Sequence, residues 1–187
     1  MPRIISGLAG SVPLQTPKGQ LTRPTSDKTK EALFSIISSR MPARGFLDLF
    51  SGSGQMGLEA ASRGCSPVVL IEKSNDCVNI IRKNSEKTRL AERVTLLPGD
   101  VRKWIRKLLS DEQVFEIIFI DPPYDQALAV FEEMASDLAG LLRSDGLLIL
   151  EHNAADESPP IVMNLKRSRR CQYGTAMLSF YQLNSTD

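Results

Sequence analysis

Short apolar runs alternate with amphipathic segments along most of the chain after residue 45. The runs are apolar at nearly every position, as expected of strands covered by helices on both faces of a sheet. In the segments between them the apolar residues recur with helical spacing, which indicates β-α-β units on a parallel sheet. The predicted strands are 46–50, 68–71, 94–97, 117–120 and 147–150, and the predicted helices are 55–63, 75–87, 101–109 and 126–142.

The pattern is weaker at both ends of the chain. Residues 1–22 mix glycine and proline with short apolar pairs, which predicts a loose hairpin or arm. A helix should follow over 24–38, with Thr25 or Ser26 as its N-cap. Near the other end, the two apolar runs at 161–165 and 175–183 predict a closing antiparallel pair of strands.

Length and composition favour a single α/β domain that spans residues 1–187, with its core over 45–183. A chain of 187 residues can bury one core and is too short for two ordinary domains. No stretch approaches the ~20 apolar residues of a membrane span, and the start of the chain lacks a signal-peptide pattern, so we expect a cytoplasmic protein. The three cysteines and one histidine predict neither a disulfide framework nor a metal site.

The net charge of +1 does not by itself predict a nucleic-acid-binding protein. Local clusters of basic residues could nevertheless contact phosphates, although a solvated charged face is an equally ordinary explanation. The candidate RNA-binding residues are Arg3, Arg23 and Lys28 near the start of the chain, and Lys166, Arg167, Arg169 and Arg170 near its end.

A glycine-rich loop follows the first predicted strand and leads directly into a helix. Ser51, Gly52 and Gly54 therefore lie at the carboxyl edge of the sheet, where open α/β folds bind ligands. With Gly57 the loop reads G-x-G-x-x-G, and Glu72 follows at the spacing of a ribose-binding acid in dinucleotide enzymes. The loop alone allows a nicotinamide dinucleotide as well as S-adenosylmethionine.

Two acids favour S-adenosylmethionine. Asp48 precedes the glycines, where its carboxylate could meet the cationic methionine end and would repel a pyrophosphate. Asp100, followed by Val101 after the third strand, could accept a hydrogen bond from the adenine amino group. Glu72 would accept from the two ribose hydroxyls, since a carboxylate is an acceptor only. Taken singly, Glu72 or Asp100 could also be a helix N-cap or a surface charge.

The sequence Asp121-Pro122-Pro123-Tyr124 follows the fourth strand, so it should open on the same edge as the glycine loop. An exocyclic amine is a poor nucleophile, because its lone pair is delocalised into the ring. Asp121 and the carbonyl of Pro122 could accept from the two N–H groups of the amine and favour a pyramidal nitrogen. The two prolines fix this turn, and the Tyr124 ring could stack on the base. The pattern predicts methyl transfer to a base amine, with catalysis mainly by positioning.

These residues resemble the Rossmann-like methyltransferases with a D/N-P-P-Y motif, and more narrowly the bacterial 16S rRNA guanine-N2 methyltransferases of the RsmD type. The glycine loop and D-P-P-Y occur in many methyltransferases. The Arg-Pro-Thr sequence before a Glu-Ala-Leu-Phe helix is more specific. The resemblance covers nearly the whole chain, in the segments 3–7, 23–28, 31–34, 46–54, 57–60, 62–64, 121–124 and 173–175.

The resemblance implies a seven-stranded, mostly parallel sheet whose last strand is antiparallel. It implies methylation of a guanine in ribosomal RNA, within the small subunit or its assembly intermediate. Residues 121–124 would hold the flipped-out base, and the cofactor would contact Asp48, Ser51, Gly52, Gly54, Glu72, Asp100 and Val101. The arm of this family usually carries several basic residues, whereas residues 8–14 carry none. Ribosomal proteins could then help to dock the enzyme.

Other functions fit parts of the pattern. An adenine-N6 methyltransferase on RNA or DNA would use Asp-Pro-Pro-Tyr equally well, although we expect a single domain, without a second one to read DNA sequence. A glutamine-N5 protein methyltransferase generally has Asn where Asp121 stands. A nicotinamide oxidoreductase would depend on the glycine loop alone. A non-catalytic RNA-binding ribosome assembly protein would not need Asp121.

Overall fold

The computed structural model describes residues 2–17 and 27–184, with Tyr124 described by its backbone only. Five α-helices and eight strands occur among these residues. The helices are α1 (Asp27–Ile36), α2 (Gln55–Ser62), α3 (Asn75–Lys87), α4 (Val101–Ser110) and α5 (Ala127–Leu141). The strands are β1 (Phe46–Leu49), β2 (Val68–Glu72), β3 (Val94–Pro98), β4 (Phe115–Ile120), β5 (Leu142–Asn153), β6 (Ile161–Val162), β7 (Leu165–Tyr173) and β8 (Ala176–Leu183).

The described strands form one sheet in the order β3-β2-β1-β4-β5-β8-β7-β6. Strands β1 to β5 are parallel, and β8 is antiparallel to both of its neighbours, β5 and β7. The sheet order reverses at β1, which pairs with β2 on one side and β4 on the other. Open α/β sheets bind ligands at such a switch point.

Apolar cores cover both faces of the sheet, which explains the uniformly apolar strands. All six residues of β4 are buried, and Ile117 to Ile120 alternate between the two cores. One core contains Ile117 and Phe119 together with residues of α1 and α2, and the other contains Ile118 and Ile120 with residues of α4 and α5. The predicted α/β class with a mostly parallel sheet is confirmed.

The first residues of the chain form a hairpin-like arm. Ile4 N donates to Val12 O at 2.9 Å, and Leu14 N donates to Pro2 O at 2.7 Å. The helix expected over 24–38 is α-helical from Asp27 to Ile36, and a 3-10 turn at Ser38–Arg40 follows it. Its proposed caps, Thr25 and Ser26, and the first of its residues lie outside the described part of the chain.

The prediction for the closing strands was wrong in part. The neighbour of β8 is Leu165–Tyr173, and the run at 161–165 contributes only the two-residue β6. The sheet therefore has eight strands among the described residues, where seven were expected. Most side chains of β7 are exposed or half-buried, so its sequence has no apolar run that would identify a strand.

None of the described helices is long and apolar enough to cross a membrane.

Candidate active site

The glycine loop and the Asp-Pro-Pro-Tyr turn emerge side by side. Leu49, the last residue of β1, pairs with Ile71 of β2 and with Ile120 of β4. Just beyond this point, Asp121 N donates to Leu49 O at 3.4 Å, and Ser51 N donates to Ile71 O at 3.1 Å. Both turns therefore open on the carboxyl edge of adjacent parallel strands, as predicted from the strand pattern.

The glycines of the loop adopt conformations that other residues rarely accept. Gly52 has φ +54° and Gly54 has φ +77°, and Gly54 is the N-cap of α2. A Cβ on Gly54 would lie 3.1 Å from Ile81 Cγ1, whereas a Cβ on Gly52 would meet no protein atom within 4 Å. Gly54 N donates to Ser51 O at 2.7 Å and closes the turn. Gly52 therefore faces open space, where a ligand can approach the backbone.

Asp48 is buried beneath this loop with only 1% of its surface exposed. Its Oδ2 accepts from Gly57 N at 2.8 Å, and the Ser51 hydroxyl donates to its main-chain oxygen at 2.7 Å. Burial raises the pKa of Asp48 to about 7, and the nearby Glu72 charge adds to this, while the Gly57 bond opposes it. A cation placed beside this carboxylate would favour its ionised form.

Glu72 joins the loops that follow β1 and β2. Its Oε2 accepts from Gly52 N at 2.7 Å, and its Oε1 accepts from Ser74 N at 2.8 Å. These two bonds fix the carboxylate at the end of β2. Because each carboxylate oxygen has two lone pairs, both can still accept a ligand hydroxyl.

Asp100 caps α4, which is the structural role considered for it from the sequence. Its Oδ1 accepts from Arg102 N at 3.0 Å, and Val101 is the first, buried residue of the helix. The preceding Gly99 has φ +139°, and a Cβ there would lie 3.1 Å from Trp104 Nε1. Trp104 Nε1 donates to Pro98 O at 3.1 Å. Asp100 and the Trp104 indole therefore flank the end of β3, one strand away from Glu72.

The Asp-Pro-Pro-Tyr turn connects β4 to α5. Asp121 is half-buried, Pro122 is buried and Pro123 is exposed. Gln126 N donates to Pro123 O at 3.0 Å, so the turn runs into a 3-10 segment, Tyr124–Gln126, before α5 begins. The prolines thus lie at the sheet edge beside the glycine loop.

The basic residues near the C-terminus do not form one patch. Arg167 and Arg170 both pair with Glu157, at 3.1 and 2.5 Å. The pairing of β7 with β8 shifts by one residue between Arg167 and Arg169, so Lys166 and Arg169 both project from the opposite face of β7, where Cys171 packs against the first core. Near the N-terminus, Arg3 and Lys28 are exposed, and Arg3 N donates at 3.4 Å to Oδ1 of Asp27, the residue before Lys28. Arg23 lies outside the described residues.

Sequence reasoning missed the buried polar side chains that attach the arm to the helices. Glu59 of α2 accepts from Ile5 N and Ser6 N, and Asn84 of α3 bonds to the main chain of Gln15. Such polar residues interrupt the apolar face of a helix, and this interruption is the only feature of the sequence that could have indicated them.

No group of three or more His, Cys, Asp or Glu side chains able to hold a metal ion occurs in the part of the chain that the structure describes.

The chain matches known proteins over nearly its whole length. The family model described as Conserved hypothetical protein 95 covers residues 2–182. "Putative rRNA methyltransferase YlbH" of Bacillus subtilis (strain 168) is 30% identical over 96% of this chain and 98% of that protein. Ribosomal RNA small subunit methyltransferase D of Escherichia coli (strain K12) is 29% identical over 96% of this chain and 89% of that protein.

Solved structures show the same fold. A hypothetical protein of Thermus thermophilus has a TM-score of 0.85 and 31% identity, covering 98% of this chain and 100% of that one. SMU.776, described as "a putative methyltransferase complexed with SAH", has a TM-score of 0.70 at 15% identity, covering 84% of this chain and 49% of that one, and shares the fold alone. From its sequence matches, the chain belongs to the family described as Conserved hypothetical protein 95, the family of ribosomal RNA small subunit methyltransferase D that its motifs resemble.

Proposed function

We propose that this protein transfers a methyl group from S-adenosylmethionine to the exocyclic N2 amine of a guanine in 16S ribosomal RNA of the small subunit. The observation that carries the proposal is the adjacency of the two turns after β1 and β4, with Asp48 under one and Asp121 in the other. A donor bound over the first turn would lie next to a base held by the second.

The residues at the edge of β1 to β3 fit S-adenosylmethionine. Asp48 would pair with the ammonium of the methionine moiety, because a buried carboxylate is stabilised by a nearby cation. Ser51, Gly52 and Gly54 would contact that moiety along the backbone, with Gly52 facing open space. Glu72 would accept from the ribose hydroxyls, and Asp100 and Val101 would border the adenine. When bound, the cofactor supplies an electrophilic methyl group on a sulfonium.

The Asp121–Tyr124 turn would orient the target base. Asp121 would accept one N–H of the amine and the Pro122 carbonyl the other, which holds the nitrogen lone pair toward the methyl donor. Pro122 and Pro123 have no backbone N–H, so they cannot compete for these acceptors. Tyr124 would stack on the flipped-out base. Holding both reactants in one geometry would supply most of the rate enhancement.

The ribosomal substrate is supported by the relatives. The proteins at 29% and 30% identity over nearly the full chain are named as ribosomal RNA methyltransferases, one of them for the small subunit. We expect the protein to act in the cytoplasm as a single domain. The guanine N2 position comes from the resemblance, and an adenine-N6 amine would suit the same turn.

Nucleoside mass spectrometry of 16S RNA from cells without this protein tests the proposal. We expect one N2-methylguanosine to disappear, to return with the wild-type gene, and to stay absent with Asp121→Ala, which removes the acceptor. Asp125→Ala is the matched control, because Asp125 is an exposed acid four residues further on, and it should restore the nucleoside. Loss of an N6-methyladenosine instead would favour the adenine reaction. Full biological activity of Asp121→Ala would favour a non-catalytic assembly role.

A further inference from the structure

Asn84, in the last turn of α3, connects two segments that are far apart in the chain. Its side-chain nitrogen donates to Ser53 O at 2.9 Å and to Gln15 O at 3.0 Å, across 31 and 69 residues of sequence. Its side-chain oxygen accepts from Gln15 N at 2.8 Å. Asn84 is fully buried, and its bond to Ser53 O is buried with it. One amide thus holds the N-terminal arm and the glycine loop at the same time.

The bond from Asn84 to Ser53 O lies in the part of the loop where the backbone has most conformational freedom. Gly52 and Gly54 flank Ser53, and both have positive φ, so the backbone has unusual freedom there. Ser53 O and Gly54 N belong to one planar peptide unit, and fixing the carbonyl also fixes the direction of the N–H. That N–H closes the turn by donating to Ser51 O at 2.7 Å.

The bonds to Gln15 make the arm part of this restraint. An asparagine side chain that donates to and accepts from the same residue behaves like a neighbouring strand backbone. If the arm leaves α3, the Asn84 amide loses two of its three bonds and can rotate away from Ser53. Through these bonds the glycine loop is linked to a segment that lies about 40 residues earlier in the chain.

We propose that Asn84 is a positioning residue that couples docking of the N-terminal arm to the ligand-binding conformation of the glycine loop. The inference rests on the proposed function in one respect, namely that this loop binds S-adenosylmethionine. It goes beyond that function because it assigns the arm a role in cofactor affinity. By linkage, cofactor binding must stabilise the docked arm as much as the docked arm favours cofactor binding.

Asn84→Asp is the test variant, because it keeps the shape and the acceptor for Gln15 N but replaces the donor with an oxygen facing two carbonyls. We expect its Kd for S-adenosylhomocysteine and its KM for S-adenosylmethionine to rise about tenfold. At saturating cofactor, kcat should stay within about twofold of the wild type, because the base-binding turn is unchanged. A lower kcat with unchanged KM and Kd would overturn the proposal.

Lys87→Met is the matched control. Lys87 is exposed on the same helix and donates to Pro13 O at 2.6 Å, so it touches the arm but not the loop. We expect its Kd for S-adenosylhomocysteine to stay within about twofold of the wild type. If Lys87→Met and Asn84→Asp weaken binding equally, the coupling does not run through Asn84.

Hydrogen exchange on the wild-type protein keeps the proposal testable if Asn84→Asp does not fold. Saturation with S-adenosylhomocysteine should slow exchange of the Gln15 amide as well as of the loop amides at 52–54. Unchanged exchange at Gln15 would contradict the coupling.

If the wild type binds no S-adenosylhomocysteine, the proposed function fails. In that case faster exchange at 52–54 in Asn84→Asp without ligand would still support the positioning role, and unchanged exchange would refute it.

Discussion

Asp48 lies at the end of β1 in surroundings that oppose its charge. The side chain is buried, and Glu72 lies close enough to disfavour a second negative charge. Its hydrogen bond from Gly57 N is not enough to compensate, so its pKa is raised to about 7. The residue is therefore poised to ionise when a cation arrives, which couples ligand binding to pH.

Binding of S-adenosylhomocysteine should become tighter as pH rises from about 6 to 8, since its ammonium group requires the ionised form of Asp48. Below pH 7 the raised pKa of Asp48 means that binding must first release a proton. Calorimetric titrations in two buffers of different ionisation enthalpy should show this release. Asp48→Asn should bind more weakly and without the pH dependence. A wild-type affinity that is constant over this range would contradict the assignment.

At the scale of elements, the central strands and the helices between them were predictable, because burial on both faces requires continuous apolar runs. The bounds of α3 are those expected, and α2 and α4 differ from expectation by one residue at their ends. Strand β7 was missed because its exposed, basic side chains carry no apolar signal. β5 begins five residues before the predicted 147, in a stretch where exposed polar residues conceal the strand.

The candidate site was predictable to a similar extent. Residues at the ends of consecutive parallel strands must share one edge, so the neighbourhood of Asp48, Glu72, Asp100 and Asp121 followed from the strand assignment alone. The partners of these acids did not, because Gly57, Ser74 and Gly52 contact them through backbone N–H groups that nearly every residue type has. Contacts between distant segments, such as Asn84 with Gln15, leave no local pattern.

The start of α2 packs tightly against the sheet, and Gly57 should not tolerate a side chain. A Cβ there would lie 2.8 Å from Leu70 Cγ and 3.2 Å from Asp48 Oδ2. Gly57→Ala should cost about 1–3 kcal/mol in the free energy of unfolding and weaken cofactor binding, because α2 or the Leu70 and Asp48 side chains must shift. Chemical denaturation measures the first effect. Gly10→Ala is the control, since its Cβ would have no neighbour closer than 3.5 Å and should change stability little.

Within β7 the basic residues should separate into two kinds. Arg167 donates to Ser158 Oγ at 2.9 Å and to Ser158 O, besides its ion pair with Glu157. Arg167→Gln should therefore lower the free energy of unfolding by about 1–2 kcal/mol. Lys166 is exposed, and Lys166→Gln should stay within about 0.5 kcal/mol of the wild type. Equal losses in a denaturation experiment would mean that Arg167 has no anchoring role.

At the scale of the whole molecule, the charge balance limits how this protein can hold RNA. The chain carries a net charge of +1, and Glu157 pairs with two of the basic residues considered for phosphate contact. Counterion release from a few phosphates gives weak, salt-sensitive binding. A nearly neutral enzyme would gain affinity from additional contacts with ribosomal proteins on an assembled subunit.

Methyl transfer should accordingly be faster on assembled or partly assembled small subunits than on naked 16S RNA. We expect the difference in kcat/KM to reach at least about tenfold at physiological salt, where electrostatic attraction is screened. Steady-state rates on the two substrates, purified from cells without this protein, provide the comparison. Equal rates on both would remove the argument for docking on ribosomal proteins.

The indole that donates to Pro98 O is that of the chain's only tryptophan. Because Trp104 is half-buried beside Gly99 and Asp100, its fluorescence emission should respond when an adenine ring occupies the end of β3. With the adenine placed as proposed, Trp104 would serve as an intrinsic optical reporter for one end of the ligand. A quench or spectral shift on adding S-adenosylhomocysteine, absent with methionine alone, would follow occupancy without any label.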